Sequence, residues 1–191
     1  MSTPPRPLDL EILRLLSRFG MARAWHVMAW TGCGAWTAEE RLRELRKAGL
    51  VAVMDAPVTL WDPALGRVRE CIIPVWTTTR RGARLAGRIT VPGTERTVTP
   101  RIDPPSVYSA LTIIPTVDLA TWYRTYGFSV VAPREMASTE RRTALHPDRP
   151  VEGLWATHGG TLDAWVERGG RFSTRLPSMG AIHPDGTLWA V

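Results

Sequence analysis

Leu8, Ile12, Leu15, Leu16 and Phe19 recur at three- and four-residue spacing, the period of a helix with one buried stripe. Asp9 stands where an N-cap is expected and Gly20 where a helix stops, which predicts a helix over 9–19. Met21, Ala24, Trp25, Met28 and Ala29 repeat the pattern in a shorter helix, ending before the turn composition Thr31-Gly32-Cys33-Gly34. A third helix is predicted to start at Thr37, because Thr followed three residues later by Glu40 has the form of a capping box. In it Leu42, Leu45 and Gly49 stack with Ala38 on one side. Trp36, Glu40, Arg43 and Lys47 lie opposite, with Arg46 at the edge and Glu39 and Glu44 flanking.

After Gly49 the period shortens. Residues 50–54 read as a strand, 62–66 (Asp-Pro-Ala-Leu-Gly) as a turn and 67–78 as a second strand, which Pro74 confines to a sheet edge or a bulge. Thr79 to Ala86 reads as a last short helix. Residues 89–105 are rich in Thr, Pro and Arg without apolar periodicity, which predicts a linker between one unit at 8–88 and a second at 106–191. The second unit opens with an apolar stretch, 106–126, interrupted by Pro115, so a kinked helix or two pieces is expected. A strand follows at 128–131, and weaker strand signals stand at 153–156, 162–166 and 187–191. The fold class expected is α+β, an N-terminal helix and hairpin domain followed by a small α/β domain.

The length of 191 residues, with 44% hydrophobic and 22% charged residues, is that of a folding globular chain and excludes a disordered segment. Cys33 and Cys71 form no CxxC pair, which excludes a zinc ribbon and a disulfide framework and fits a reducing compartment. No apolar run has the length of a membrane span or a signal peptide, so a cytoplasmic protein without membrane association is expected. Of 24 basic residues all but Lys47 are Arg, a skew that a G+C-rich genome explains. Position is more informative. Residues 1–101 carry 16 basic and 9 acidic side chains, whereas residues 102–191 carry 8 and 9. A surplus confined to one half favours a polyanionic partner for that half.

Three helices, the third charged outside, followed by two strands whose turn carries Arg67 and Arg69, is the order of a winged helix-turn-helix. Arg43 and Lys47 stand one turn apart for a DNA groove, with Trp36, Thr37, Glu40 and Arg46 beside them, while Arg67 and Arg69 neutralise phosphates. Trp36 reads either as a groove contact or, more commonly for an aromatic in such a motif, as core. The glutamates repel phosphate but accept from a cytosine amino group. His26 and Cys33 read as structural.

Leu8 to Gly20, the segment WTAEERLRELRKAGLV from Trp36 to Val51, and VWTTTRRGARLAG from Val75 to Gly87 resemble the winged-helix half of actinobacterial and phage replication-relaxation proteins, broadly similar to MarR-type regulators. The resemblance implies sequence-specific binding of double-stranded DNA by a homodimer, in transcription regulation or as a replication, plasmid or phage accessory protein. It also implies a C-terminal half like a degenerate restriction nuclease, with Glu135 in the place of a first acid and His183-Pro184-Asp185, or His146-Pro147-Asp148, in that of a Pro-Asp element.

The Glu-x-Lys element of such a site is missing, and the second half contains no Lys at all. His-Pro-Asp is also turn chemistry. No catalytic residue, metal or small-molecule cofactor is therefore assigned. A metal-dependent endonuclease is the lesser alternative, and a protein-interaction module, suggested by nine tryptophans, is the other.

Overall fold

The computed structural model describes residues 5–93, 97–100, 105–133, 135 and 179–190. The strand signals at 153–156 and 162–166, and the element His146-Pro147-Asp148, lie outside the described residues.

Helix α1 (Pro7–Phe19) starts earlier than its apolar stripe predicts, because Pro7 occupies the first helical position, where its fixed φ and missing N–H suit it. Arg6 is the N-cap, and Asp9, expected there, lies three residues inside. It still caps: Asp9 Oδ2 accepts the Arg6 N–H at 2.9 Å. In α2 (Ala24–Thr31) the N-cap is Arg23, and the residue three positions on, His26, accepts its N–H through Nδ1 at 2.9 Å. Met21, predicted inside α2, precedes it and is fully buried, next to a single antiparallel bridge between Ala22 and Trp76.

Helix α3 (Ala35–Lys47) leads into a long antiparallel hairpin of β1 (Val51–Asp62) and β2 (Arg67–Thr78). The register runs without a bulge from Val51 opposite Thr78 to Asp62 opposite Arg67. Pro74 is accommodated by its outward nitrogen. Trp76 exchanges both backbone bonds with Ala22 rather than with β1, and the two-residue period places the nitrogen of Pro74 on that same outer edge. α4 (Arg80–Ala86) is capped by Thr79, whose Oγ1 accepts from Gly82 N at 3.1 Å. The segment read as a linker contains a small antiparallel hairpin, β3 (Ile89–Thr90) with β4 (Thr97–Val98).

The stretch 106–126 is a 3-10 turn (Val107–Ser109) followed by one helix, α5 (Ala110–Thr125), that runs through Pro115. Pro115 is exposed, so the helix breaks its ladder on the side open to water. β5 (Ser129–Val131), β6 (Gly180–Ile182) and β7 (Leu188–Ala190) form an antiparallel sheet in that order. The protein is thus of mixed α+β class, and no helix among the described residues is long and apolar enough to cross a membrane.

One apolar cluster joins Ile12 and Leu16 of α1, Val27 of α2 and Leu42 of α3 to Val117 and Ala120 of α5 and Ala181 of β6. A second packs Ala56, Val58 and Val75 of the hairpin against Met21 and against Ala110 and Ile114 of α5. Polar ties accompany them. Arg18 of α1 holds both oxygens of buried Glu135, at 2.6 and 2.9 Å, and donates to the Val130 carbonyl. His26 Nε2 lies 2.7 Å from Asp118 Oδ1 on α5; since Nδ1 accepts from Arg23, the ring proton is on Nε2 and donates to Asp118.

Gly82 sits where the first turn of α4 meets Leu50, between α3 and β1, and Leu13 of α1. A Cβ there would stand 1.9 Å from the Leu50 carbonyl oxygen and 3.1 Å from Leu13 Cδ2. Gly to Ala inside a helix ordinarily gains about 1 kcal/mol; here the clash reverses the sign. Gly82→Ala is expected to lose about 3 kcal/mol in urea unfolding, within the upper range for overpacking.

Burial lowers the pKa of His26 below its ordinary 6.5, outweighing the hydrogen bond and charge of Asp118, while Arg23 adds repulsion. The unfolded chain therefore binds this proton more readily. The stabilisation is complete above 6.5 and is lost as pH falls below it toward the folded pKa. The urea midpoint is expected to drop as pH falls through this window, and His26→Gln to flatten that part of the profile.

Candidate nucleic-acid interface

α3 has a buried side of Ala38, Arg41, Leu42 and Leu45 and no acidic residue in its first turn. It begins at Ala35 with Gly34 as N-cap, two residues before the expected start at Thr37. The physical reason is the preceding turn: left-handed Gly32 ends α2, and extended Gly34 offers its carbonyl to Ala38 N at 3.0 Å, closing the first helical turn there. Thr37 and Glu40 thus lie inside the helix, both half-buried, and form no capping box. The helix stops as Gly49 predicts. Gly49 takes φ +70°, its N–H bonds to the Arg46 carbonyl, and Leu50 N–H reaches back to Leu45 at 2.9 Å, a Schellman ending. Gly49 itself is exposed rather than part of the core stack.

The rotation of α3 about its axis is set by Arg41, a residue the apolar pattern left unassigned. Its guanidinium is buried against Asp9 of α1, with contacts of 2.7, 2.7 and 2.9 Å to the two carboxylate oxygens, and it also meets Glu44. Burial pulls its pKa down, but the hydrogen bonds and charges of Asp9 and Glu44 together outweigh this and leave it raised. Arg41 is thus firmly a cation.

With Arg41 inside, the outer face follows. Trp36 is 69% exposed, which removes the core reading. Arg43, Arg46 and Lys47 are exposed as well. At 100° per residue, Trp36, Glu40, Arg43 and Lys47 fall within about 60° of the helix circumference. Arg43 lies 3.8 Å from Glu39, one turn away. Arg46 and Lys47 occupy the last turn, where cations complement the helix dipole. Arg81 of α4 donates to the Ala48 carbonyl at 3.4 Å, at the same negative end.

Leu50, buried, turns the chain directly from α3 into β1. Twelve residues per strand give the hairpin a length of about 40 Å, and its two ends differ in environment. Val51, Ala56, Val58, Val75 and Thr77 are buried, while every residue from Pro63 to Glu70 is exposed. Asp62 shapes the turn by accepting from Ala64 N and Leu65 N at 3.1 and 3.3 Å, and Gly66 adopts φ +57°. Arg67 and Arg69 stand at this exposed end, Arg69 at 4.0 Å from Asp62. Val68 and Ile72 are also exposed, so the hairpin end offers guanidinium groups interleaved with apolar surface.

Of the acids considered in the second half, Glu135 and Asp185 are accounted for otherwise. Glu135 accepts from Arg18 through both oxygens and from Ala132 N at 2.8 Å, which commits the lone pairs a metal ion would use. Asp185 is exposed and belongs to a turn closed by His183 N to Thr187 O and Gly186 N to His183 O, both 2.8 Å. Hydrogen bonds from Thr187 first, and then His183, bring its pKa down to about 2. No group of three or more metal-ligating side chains is found among the described residues.

Neither a family model nor a curated protein nor a solved structure matches this chain.

Removing one partner of the buried pair strands the other charge. Arg41→Leu is expected to lose about 3 kcal/mol or more in chemical unfolding, and Asp9→Leu combined with Arg41→Leu to recover much of that loss. Equal stability of Arg41→Leu and the wild type would show that the pair does not hold α3.

Proposed function

We propose that this protein binds double-stranded DNA sequence-specifically as a winged helix-turn-helix, with α3 in the major groove and the β1–β2 hairpin against the backbone. The observation that carries the reading is the outer face of α3, where exposed Trp36, Arg43 and Lys47 share one narrow sector beside Thr37, Glu40 and Arg46. Exposed Arg67 and Arg69 on the hairpin supply phosphate contacts. The element order supports it too: three helices precede the hairpin, and Ala22 bridges to Trp76 as a third strand position at the hairpin base.

The charge balance of α3 bears on how it would bind. Glu39, Glu40 and Glu44 offset Arg43, Arg46 and Lys47 on the same helix. Such a helix gains little from phosphate attraction alone. Its discrimination would come from paired contacts to base edges, arginine to guanine and glutamate to a cytosine amino group, with the hairpin arginines supplying the phosphate grip. The biological role proposed is a transcription regulator or a replication, plasmid or phage accessory factor.

The protein is proposed to act as a homodimer, through the outward side of α5, where Leu111, Leu119, Trp122 and Tyr126 recur at three- to eight-residue spacing and are exposed. The same side favours the second reading, a protein-interaction module, because exposed aromatics are enriched at interface hot spots.

The test is a selection from a randomised duplex pool, followed by anisotropy titration of the enriched duplex over a salt series. Arg43→Ala combined with Lys47→Ala is expected to weaken binding at least about tenfold and to lower the salt slope by about two. Unchanged affinity and slope would remove α3 from the interface. Sedimentation velocity on the same complex is expected to give two chains per duplex. Failure of the pool to enrich, with Trp122-dependent self-association retained, would favour the interaction module.

A further inference from the structure

A cleft of about 340 Å³ opens on a different part of the molecule, between α1, the C-terminal end of α2, β3 and α5. Its polar walls are Arg14 and Arg18 of α1, Arg88 before β3 and Arg124 of α5, with Glu11 as the sole carboxylate among the lining residues and Trp30 at its side. Leu15 and Ile89 contribute buried apolar surface. The volume is at the lower end of the range for small-molecule sites.

The four guanidinium groups are not equally available. Arg18 is committed to Glu135. Arg124 lies over the Trp30 ring, 4.8 Å from its centroid. Burial, and next repulsion from Arg18, lower its pKa, and Glu11 only partly offsets them. Arg14 spends its Nε on the Ala86 carbonyl at 3.4 Å, which leaves its terminal nitrogens. Among the described residues no ion pair is formed by Arg14, Arg88 or Arg124. Counting Glu11 in the wall and Glu135 behind Arg18, the cleft retains two positive charges.

We infer that this cleft binds a small dianion of the phosphate class, inorganic phosphate or a phosphate monoester, held by Arg88, Arg124 and Arg14. Planar guanidinium forks match tetrahedral phosphate oxygens in pairs and, being weakly hydrated, lose little hydration free energy on doing so. A dianion matches the uncompensated charge and relieves the mutual repulsion of Arg18 and Arg124. The indole of Trp30 already carries Arg124 on one face, so the site favours a phosphate group with a small aliphatic body over a stacked nucleobase. None of the three binding arginines lies on α3 or on the β1–β2 hairpin, so this inference stands or falls separately from DNA binding.

The test is calorimetric titration of the full chain with inorganic phosphate and, separately, glycerol 3-phosphate, against succinate and sodium chloride at matched ionic strength. Saturable one-site binding is expected with a Kd of about 1 mM or tighter, and the stronger of the two phosphate probes identifies free phosphate or an ester as the ligand type. Arg88→Gln and Arg124→Gln are each expected to weaken it about tenfold, while Arg81→Gln, outside the cleft, leaves it unchanged. Should Arg124→Gln unfold through loss of its stack on Trp30, Arg88→Gln at an exposed position decides. Absence of saturable binding, wild-type affinity in Arg88→Gln, or equal binding of succinate would overturn the inference.

Discussion

A carboxylate shut away from water must find enough hydrogen bonds to replace its hydration shell, and Asp9 finds them in two places at once. One oxygen accepts the N–H of Arg6 and so closes the start of α1; both accept from Arg41 and so fix α3 against α1. The fork of the guanidinium admits few orientations, which makes the contact a rotational constraint as well as a tether. Every side chain on α3 then has its direction assigned by the helical period. Trp36, Arg43 and Lys47 face water because Arg41, Leu42 and Leu45 do not.

The same economy recurs in α2, where His26 caps its own helix through Nδ1 and reaches Asp118 of α5 through Nε2. In α1, Arg18 crosses to Glu135 and Val130. These polar ties lie beside the apolar cluster that α5 and β6 share with the first three helices. Apolar burial supplies the bulk of the stabilisation and is non-directional, whereas the buried hydrogen bonds require a defined geometry and favour one arrangement over the others.

Net charge along the sequence is a poor guide to where the exposed cations gather in this chain. The positive surplus belongs to the first half of the sequence, yet α3, the element expected to carry it, sets Glu39, Glu40 and Glu44 against Arg41, Arg43, Arg46 and Lys47 and keeps a single net charge. Arginine stands at the hairpin end, on α4 and around the cleft of Arg14, Arg88 and Arg124 instead. One compositional excess is thus dispersed by the fold, part of it on the exposed hairpin end and part of it in a concavity.

What the sequence by itself determined was local: the apolar stripes of α1 and α3, the stop at Gly49, the turn at 62–66, the short helix read from Thr79 to Ala86 and the turn at 183–186. Each depends on residues within a few positions of one another, where backbone preference and side-chain period act directly. The start of α3 was misplaced because two signals competed, and Gly34 presented its carbonyl before Thr37 had a role to play. Trp36 was ambiguous because period places a residue on a face without saying whether anything covers it. Only tertiary structure decided the duties of Asp9, Arg41, His26 and Glu135, and the gathering of arginines from α1, from the residue before β3 and from α5, because their partners stand 32, 92 and 117 residues away or on separate elements. A charged residue on an apolar face carries in its own sequence no record of the counter-charge that folding will set against it.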